Sequence, residues 1–112
     1  MAAQEFQPED IELSAVEVGR DLLLLITGGV RHIGAASTAY IEDGSLQAST
    51  SAVPHHKEHT ISESIALKAA SALGKTVTVV MGIHYDNLGK EEIMKVVEIV
   101  NGKVDEYLAQ QI

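Results

Sequence analysis

The stretch "KTVTVVMGIHYD" (Lys75 to Asp86) decides how this chain is read. Val77, Thr78, Val79 and Val80 follow one another, and β-branched residues fit a pleated, half-buried surface. The run has a strand's length and ends on a polar cluster, His84 to Asn87. Upstream lies "TISESIALKAASALGK". There Ile61, Ile65, Ala69, Ala72 and Leu73 fall at helical spacing. Thr60 and Glu63 have the spacing of a capping box, and Gly74 suits the position just past a helix end. Downstream, "NLGKEEIMKVVEIVNGKVDEYLAQQ" predicts a long helix with Ile93, Val97, Val100, Val104 and Leu108 as its buried seam. Asn101-Gly102 is a weak point in that seam, where a kink is expected.

Four strands are expected before this helix–strand–helix unit. Ile11 to Gly19 alternates in part, and Arg20 to Gly29 becomes fully apolar after a hairpin at Gly19-Arg20. His32 to Gly44 places Ile33, Ala35, Ser37, Ala39 and Ile41 on one face. Its small residues leave room for a close-packed neighbour. After a turn at "EDG", Ser45 to Val53 reads as a polar or edge strand. The order is β-β-β-β-α-β-α. It predicts an α+β fold with a mainly antiparallel sheet and two helices on one face. Residues 1–9 are expected to form an N-terminal extension and residues 10–112 a single domain. A sheet covered on one face has another to bury, so a homodimer is expected.

Composition narrows the function. The chain has 112 residues, 8 basic and 16 acidic, for a net charge of −8. Phosphate neutralisation needs surplus Lys and Arg, so nucleic acid and anionic membranes are not expected partners. There is no Cys, hence no thiol nucleophile and no disulfide. The longest apolar run, Leu22 to Thr27, is too short to span a bilayer. The first ten residues lack the pattern of a signal peptide, and a cytoplasmic protein is expected.

Three segments can carry chemistry. In "TGGVRHIG" (Thr27 to Gly34), Gly28 and Gly29 permit positive φ and leave amides to face an anion, with Arg31 beside them. The plain alternative is a β-turn with a solvated Arg. In "VPHHKEHT", His56 and Lys57 sit ahead of a helix N-terminus, which favours anions. His55 and His59 there have the spacing of a metal pair, the alternative being a solvated loop. In "GIHYDN", His84 and Asp86 project to one side of a regular strand, and Asn87 follows. A carboxylate beside an imidazole fixes its tautomer. A turn capping the last helix explains Asp86 and Asn87 equally well. No nucleophile–base set and no acid pair is specified, which favours a binding module over an enzyme. If the Leu22 to Thr27 and Thr76 to Ile83 strands are parallel neighbours, His32, His56 and His84 gather at one sheet edge.

The segments "LLLLITGGVRHIGAAS", "PHHKEHTISESIALKAASALGKTVTVVMGIHYDN" and "KEEIMKVVEIV" resemble the small D subunits that accompany gallate and protocatechuate decarboxylases, the prenylated-flavin chaperones. The resemblance covers Ile11 to Leu108. It implies a fold similar to the proteasome-assembling chaperones, a prenylated FMN ligand, and a role in activating a UbiD-type decarboxylase. The matching positions are Thr27, Gly28, Gly29, His32 and Gly34; His56, Lys57 and Glu58; and Gly82, His84, Asp86 and Asn87. Gly89 departs from the Ser or Thr expected as the last helix's cap. With one Phe and three Tyr, a flavin ring is expected to rest on Val, Ile and Met81. Two readings compete with this one. One is an assembly chaperone or scaffold that binds protein only. The other is a metal-dependent enzyme using His55, His59 and His84.

Overall fold

The computed structural model describes residues 7–54, 59–86 and 88–111. Five strands form one mixed sheet: β1 (Glu12–Val18), β2 (Asp21–Gly29), β3 (Ala35–Glu42), β4 (Ser45–Ala52) and β5 (Val77–His84). Two helices, α1 (His59–Leu73) and α2 (Lys90–Gln111), accompany it, so the α+β class and the element order are as the sequence predicts. The spatial order is β1-β2-β5-β3-β4. Only the β2–β5 pair is parallel, with Leu22 opposite Val77 and Gly29 opposite His84. The strand that anchors the sequence reading is therefore the centre of the sheet. Its alternation shows it: Val77, Val79 and Met81 are fully buried on one face, while Thr78 and Val80 on the other are partly accessible.

Both helices belong to the buried face. Leu22, Leu24 and Ile26 of β2, with Ala35 and Ala39 of β3, complete it. α1 meets β3 with Ile65, Ala66, Ala69 and Ala70, all fully buried. Small residues on both sides bring helix and strand backbones close, as the composition of β3 implies. Two buried hydroxyls sit in this contact. Ser37 Oγ lies 2.8 Å from Ser62 Oγ and 2.7 Å from Thr50 Oγ1, and Thr50 donates to Glu63 Oε1 at 3.1 Å. Each buried hydroxyl is thus matched, which spares the desolvation cost of an unmade bond. Glu63 serves β4 in this way and does not close a capping box. Thr60 is not the cap, because α1 already begins at His59.

The α2 seam is Val96, Val100, Val104 and Leu108. Ile93, expected in it, is 49% exposed, and Val97 is half-buried. The first turn of α2 buries none of its residues, and the seam starts at Val96. The helix continues through Asn101 and Gly102. The Asn101 amide donates to the Val97 carbonyl at 3.0 Å, and its oxygen accepts from Lys68 of α1 at 3.2 Å. At the start of α2, Gly89 N–H donates to Glu92 Oε1 at 3.2 Å. This is the reach-back half of a capping box, so Glu92 supplies what Gly89 lacks.

The strand expected from His32 begins at Ala35. Residues 30–34 instead cross the end of β5, because β5 lies between β2 and β3. Val30 N–H donates to the His84 carbonyl at 3.0 Å, and Gly34 N–H to the Met81 carbonyl at 2.9 Å. Between these anchors the chain passes over Gly82. A Cβ on Gly82 would lie 1.6 Å from the His32 carbonyl oxygen. Ile33, expected to share a face with Ala35, Ser37 and Ala39, is 63% exposed on this crossing, whereas those three are buried.

Two glycine substitutions are expected to move stability in opposite directions. Gly82→Ala forces backbone apart and is predicted to cost about 3 kcal/mol or more. Gly102→Ala meets nothing within 4 Å and is predicted to stabilise by about 0.5–1 kcal/mol. Urea titrations of both variants check the pair; equal effects would contradict the packing described.

Candidate functional site

The crossing segment builds the site. Gly82 faces the side of the sheet that no helix covers, and the crossing backbone lies on it there. His84, two residues on, projects to the same side. The two imidazoles meet edge to face, with ring centroids 6.1 Å apart and planes at 83°. His32 is half-buried and its Nε2 is shielded from solvent. His84 is exposed, and its Nε2 lies 3.3 Å from Asp86 Oδ1. The expected pairing of His84 with Asp86 is thus present. So is the meeting of His32 with His84, which required β2 and β5 to be parallel neighbours.

Arg31, between Val30 and His32, carries its guanidinium toward β1. Its Nη2 lies 3.1 Å from Glu12 Oε2, both groups being largely exposed. Such a surface pair contributes about 0–1 kcal/mol. It sets where the cation sits, at the same sheet end as the His pair. Gly34 is buried and holds both neighbours of the crossing: its N–H reaches β5, and its carbonyl accepts from Val53 N–H at 2.8 Å.

Gly28 and Gly29 lie in β2 and point elsewhere. A Cβ on Gly28 would meet Ile11, Ile83 and the Tyr85 hydroxyl on the helix-covered side. Gly29 adopts φ +66°, and a Cβ there would strike the His84 carbonyl and the Tyr85 ring. These glycines make room for Tyr85, which is 6% exposed. The Tyr85 hydroxyl donates to the Gln7 carbonyl at 3.2 Å. That bond ties the single 3₁₀ turn Pro8–Asp10 to the base of the site. Burial raises the Tyr85 pKa above 10.0, and the charges of Asp10 and, less strongly, Glu9 push the same way. The Gly29 amide opposes them by hydrogen bonding to the phenol oxygen. Sequence reasoning passed over Tyr85; its signal was an aromatic residue directly after a strand end, opposite two glycines.

His55, His56, Lys57 and Asn87 lie outside the described residues. His59 is the first residue of α1 and is exposed. α1 runs antiparallel to β5, so its start returns to the His84 end of the sheet. It does so on the helix-covered face, whereas His32 and His84 occupy the open one. Among the described residues, no group of three or more His, Asp or Glu side chains is placed to hold a metal ion. No helix there is long and apolar enough to cross a membrane. Two clefts, of about 300 and 200 Å³, flank Tyr107 along the line between α2 and the helix-facing side of β1 and β2. Neither includes a His.

The open face next to the crossing has an apolar row. Leu25, Val80 and Ala36 stand side by side across β2, β5 and β3, with Ser14 and Ser51 beyond them. Met81 is fully buried on the other face and belongs to the core, which corrects the expectation that it lines a ligand. The site therefore combines the Arg31–Glu12 ion pair, two imidazoles and the Asp86 carboxylate with an apolar row. That set can hold an anionic group at one end and a flat apolar ring beside it.

A family model described as a prenylated flavin chaperone LpdD-like domain matches residues 5–111 of the chain. No curated protein matches it.

Tyr85 gives this site a measurable pH signature. The folded protein holds the phenol proton more tightly than the unfolded chain. The stability this contributes is complete below the unfolded value near 10.0 and is lost as pH rises through the raised folded value. Tyr85→Phe is predicted to cost about 1 kcal/mol at neutral pH through the lost hydrogen bond. It should also flatten the alkaline loss of stability. Denaturant midpoints measured from pH 8 to 11 check this; parallel curves for both proteins would contradict it.

Proposed function

The chain belongs to the family of prenylated flavin chaperone LpdD-like domains, and from that membership we propose that it holds prenylated FMN at the open-face end of β5 and helps activate a UbiD-type decarboxylase. The observation that carries this reading is the edge-to-face meeting of His32 and His84 beside Arg31. A flavin phosphate is a dianion, and Arg31 and His84 are exposed donors suited to it. Asp86 Oδ1, 3.3 Å from His84 Nε2, helps hold the ring in place. The row Leu25, Val80 and Ala36 offers the isoalloxazine a flat apolar bed. Tyr85 is turned toward Gln7, so this bed takes the place of aromatic stacking. When bound, the prenylated flavin supplies the decarboxylation chemistry to the partner; this chain supplies binding and shelter.

A second copy of the chain is proposed to cover the open face. Val16 and Val18, on its β1 edge and away from the flavin bed, are 48% and 58% exposed. A scaffold that binds protein only would use the same faces and leave the His pair idle.

Calorimetric titration with reduced prenylated FMN tests the reading. Wild-type protein is predicted to bind, and His84→Ala to bind about 10- to 100-fold more weakly, the loss of one charge-assisted hydrogen bond. Absence of binding by the wild-type protein would overturn the reading. Equal affinity of His84→Ala would move the ligand away from this end. Light scattering is predicted to give twice the 12.0 kDa chain mass; a monomer at micromolar concentration would exclude the second copy.

A further inference from the structure

The open face has an apolar side and a hydroxyl-bearing side. Past the bed of Leu25, Val80 and Ala36, away from the crossing, lies the next row of side chains. It is two residues, about 7 Å, further along the strands. There Leu23 of β2 stands beside Thr78 of β5, Thr78 beside Thr38 of β3, and Thr38 beside Ser49 of β4. The Thr38 and Thr78 hydroxyls lie 2.8 Å apart, and both side chains are partly accessible. Ser51 continues the same polar side next to Ala36, while Leu23 and Leu25 hold the β2 side. Each hydroxyl carries one donor and two acceptor lone pairs. The bond between the two threonines uses one donor, which leaves the pair one O–H and spare lone pairs.

We propose that the Thr38–Thr78 pair recognises the pyrimidine edge of the flavin and so fixes which way round the ring lies. This rests on the flavin-holding reading above. An isoalloxazine has two unlike ends. The pyrimidine end carries an N3–H donor between two carbonyl acceptors. The benzo end carries methyl groups, and the prenyl-derived ring adds carbon beside it. The O–H left over on the threonine pair matches a pyrimidine carbonyl, and a lone pair of its neighbour matches N3–H. The benzo end then rests toward Leu23 and Leu25. Turned the other way, the pyrimidine carbonyls meet leucine and the hydroxyls meet methyl groups. Polar groups on both sides then lose their partners, which costs about 1–3 kcal/mol each when they are shielded from water. The two ends of the site divide the task. Arg31 and His84 set how far the flavin lies along β5, and the threonines set its rotation.

The test is a variant carrying Thr38→Val and Thr78→Val. Replacing both partners of a hydrogen bond by apolar groups of the same shape is nearly neutral for the fold, and Val suits a strand. The probes are reduced prenylated FMN and the same molecule methylated at N3. Both are titrated into wild-type protein, the double variant and His84→Ala. The proposal expects wild type to bind the N3-methyl form about tenfold more weakly, the loss of one hydrogen bond. The double variant is expected to bind the two forms with equal affinity. His84→Ala is expected to bind both more weakly and to keep the wild-type preference. Equal binding of the two probes by wild type overturns the edge recognition and leaves the phosphate end standing. A double variant that keeps the wild-type preference overturns it too. Wild-type protein that binds neither probe overturns the flavin reading, and the edge recognition with it.

Discussion

One backbone crossing fixes the rest of this structure. β5 is inserted between β2 and β3, two strands that follow each other in sequence. The link between them must therefore span two strand spacings, about 10 Å, across the end of β5. Residues 30–34 do so, anchored on the His84 and Met81 carbonyls. The crossing lies so close to β5 that only glycine fits beneath it at position 82. Closeness has a chemical consequence. It presses His32 onto the same face and the same end as His84, and leaves Arg31 at the margin. The topology that centres β5 in the sheet is thus what assembles the site.

The two faces of the sheet divide the work. One is closed by Ala-rich helix packing, with Ser37, Ser62, Thr50 and Glu63 linked by hydrogen bonds inside it. Lys68 ties the two helices by reaching Asn101 and, at 2.7 Å, Asp105. The other face carries Leu25, Val80 and Ala36 without a cover. A small domain can leave such a face open when a ligand or a second chain has use for it. The chain belongs to the family of prenylated flavin chaperone LpdD-like domains.

Much of this was legible in the sequence. The β-branched run at Val77–Val80 marked the central strand, and the element order followed from Gly and polar punctuation. The hairpin at Gly19 and the helix stop at Gly74 both show the positive φ that their neighbours demand. The meeting of His32 and His84 was deducible from a parallel β2–β5 pair. What misled was periodicity where packing overrides it. His32 and Ile33 continue the alternation of β3, but they must cross β5 and cannot pair as strand. Ile93 continues the α2 stripe, but it is exposed and the buried seam starts at Val96. Thr60 and Glu63 spelled a capping box, but Glu63 found a better partner in Thr50, a tertiary contact that local spacing cannot reveal. Tyr85 escaped notice because its bed of two glycines belongs to another strand.

The crossing over Gly82 brings the His32 and His84 rings within 6.1 Å of each other, and the proposed function makes them one binding unit. Nitrogen-detected NMR of the histidine side chains during titration with reduced prenylated FMN tests it most directly. The account predicts that the His32 and His84 ring signals shift together and saturate at the same ligand concentration, while the exposed His59 at the α1 start follows a separate course or stays still. Movement of only one of the pair, or saturation of the two at different concentrations, would contradict it.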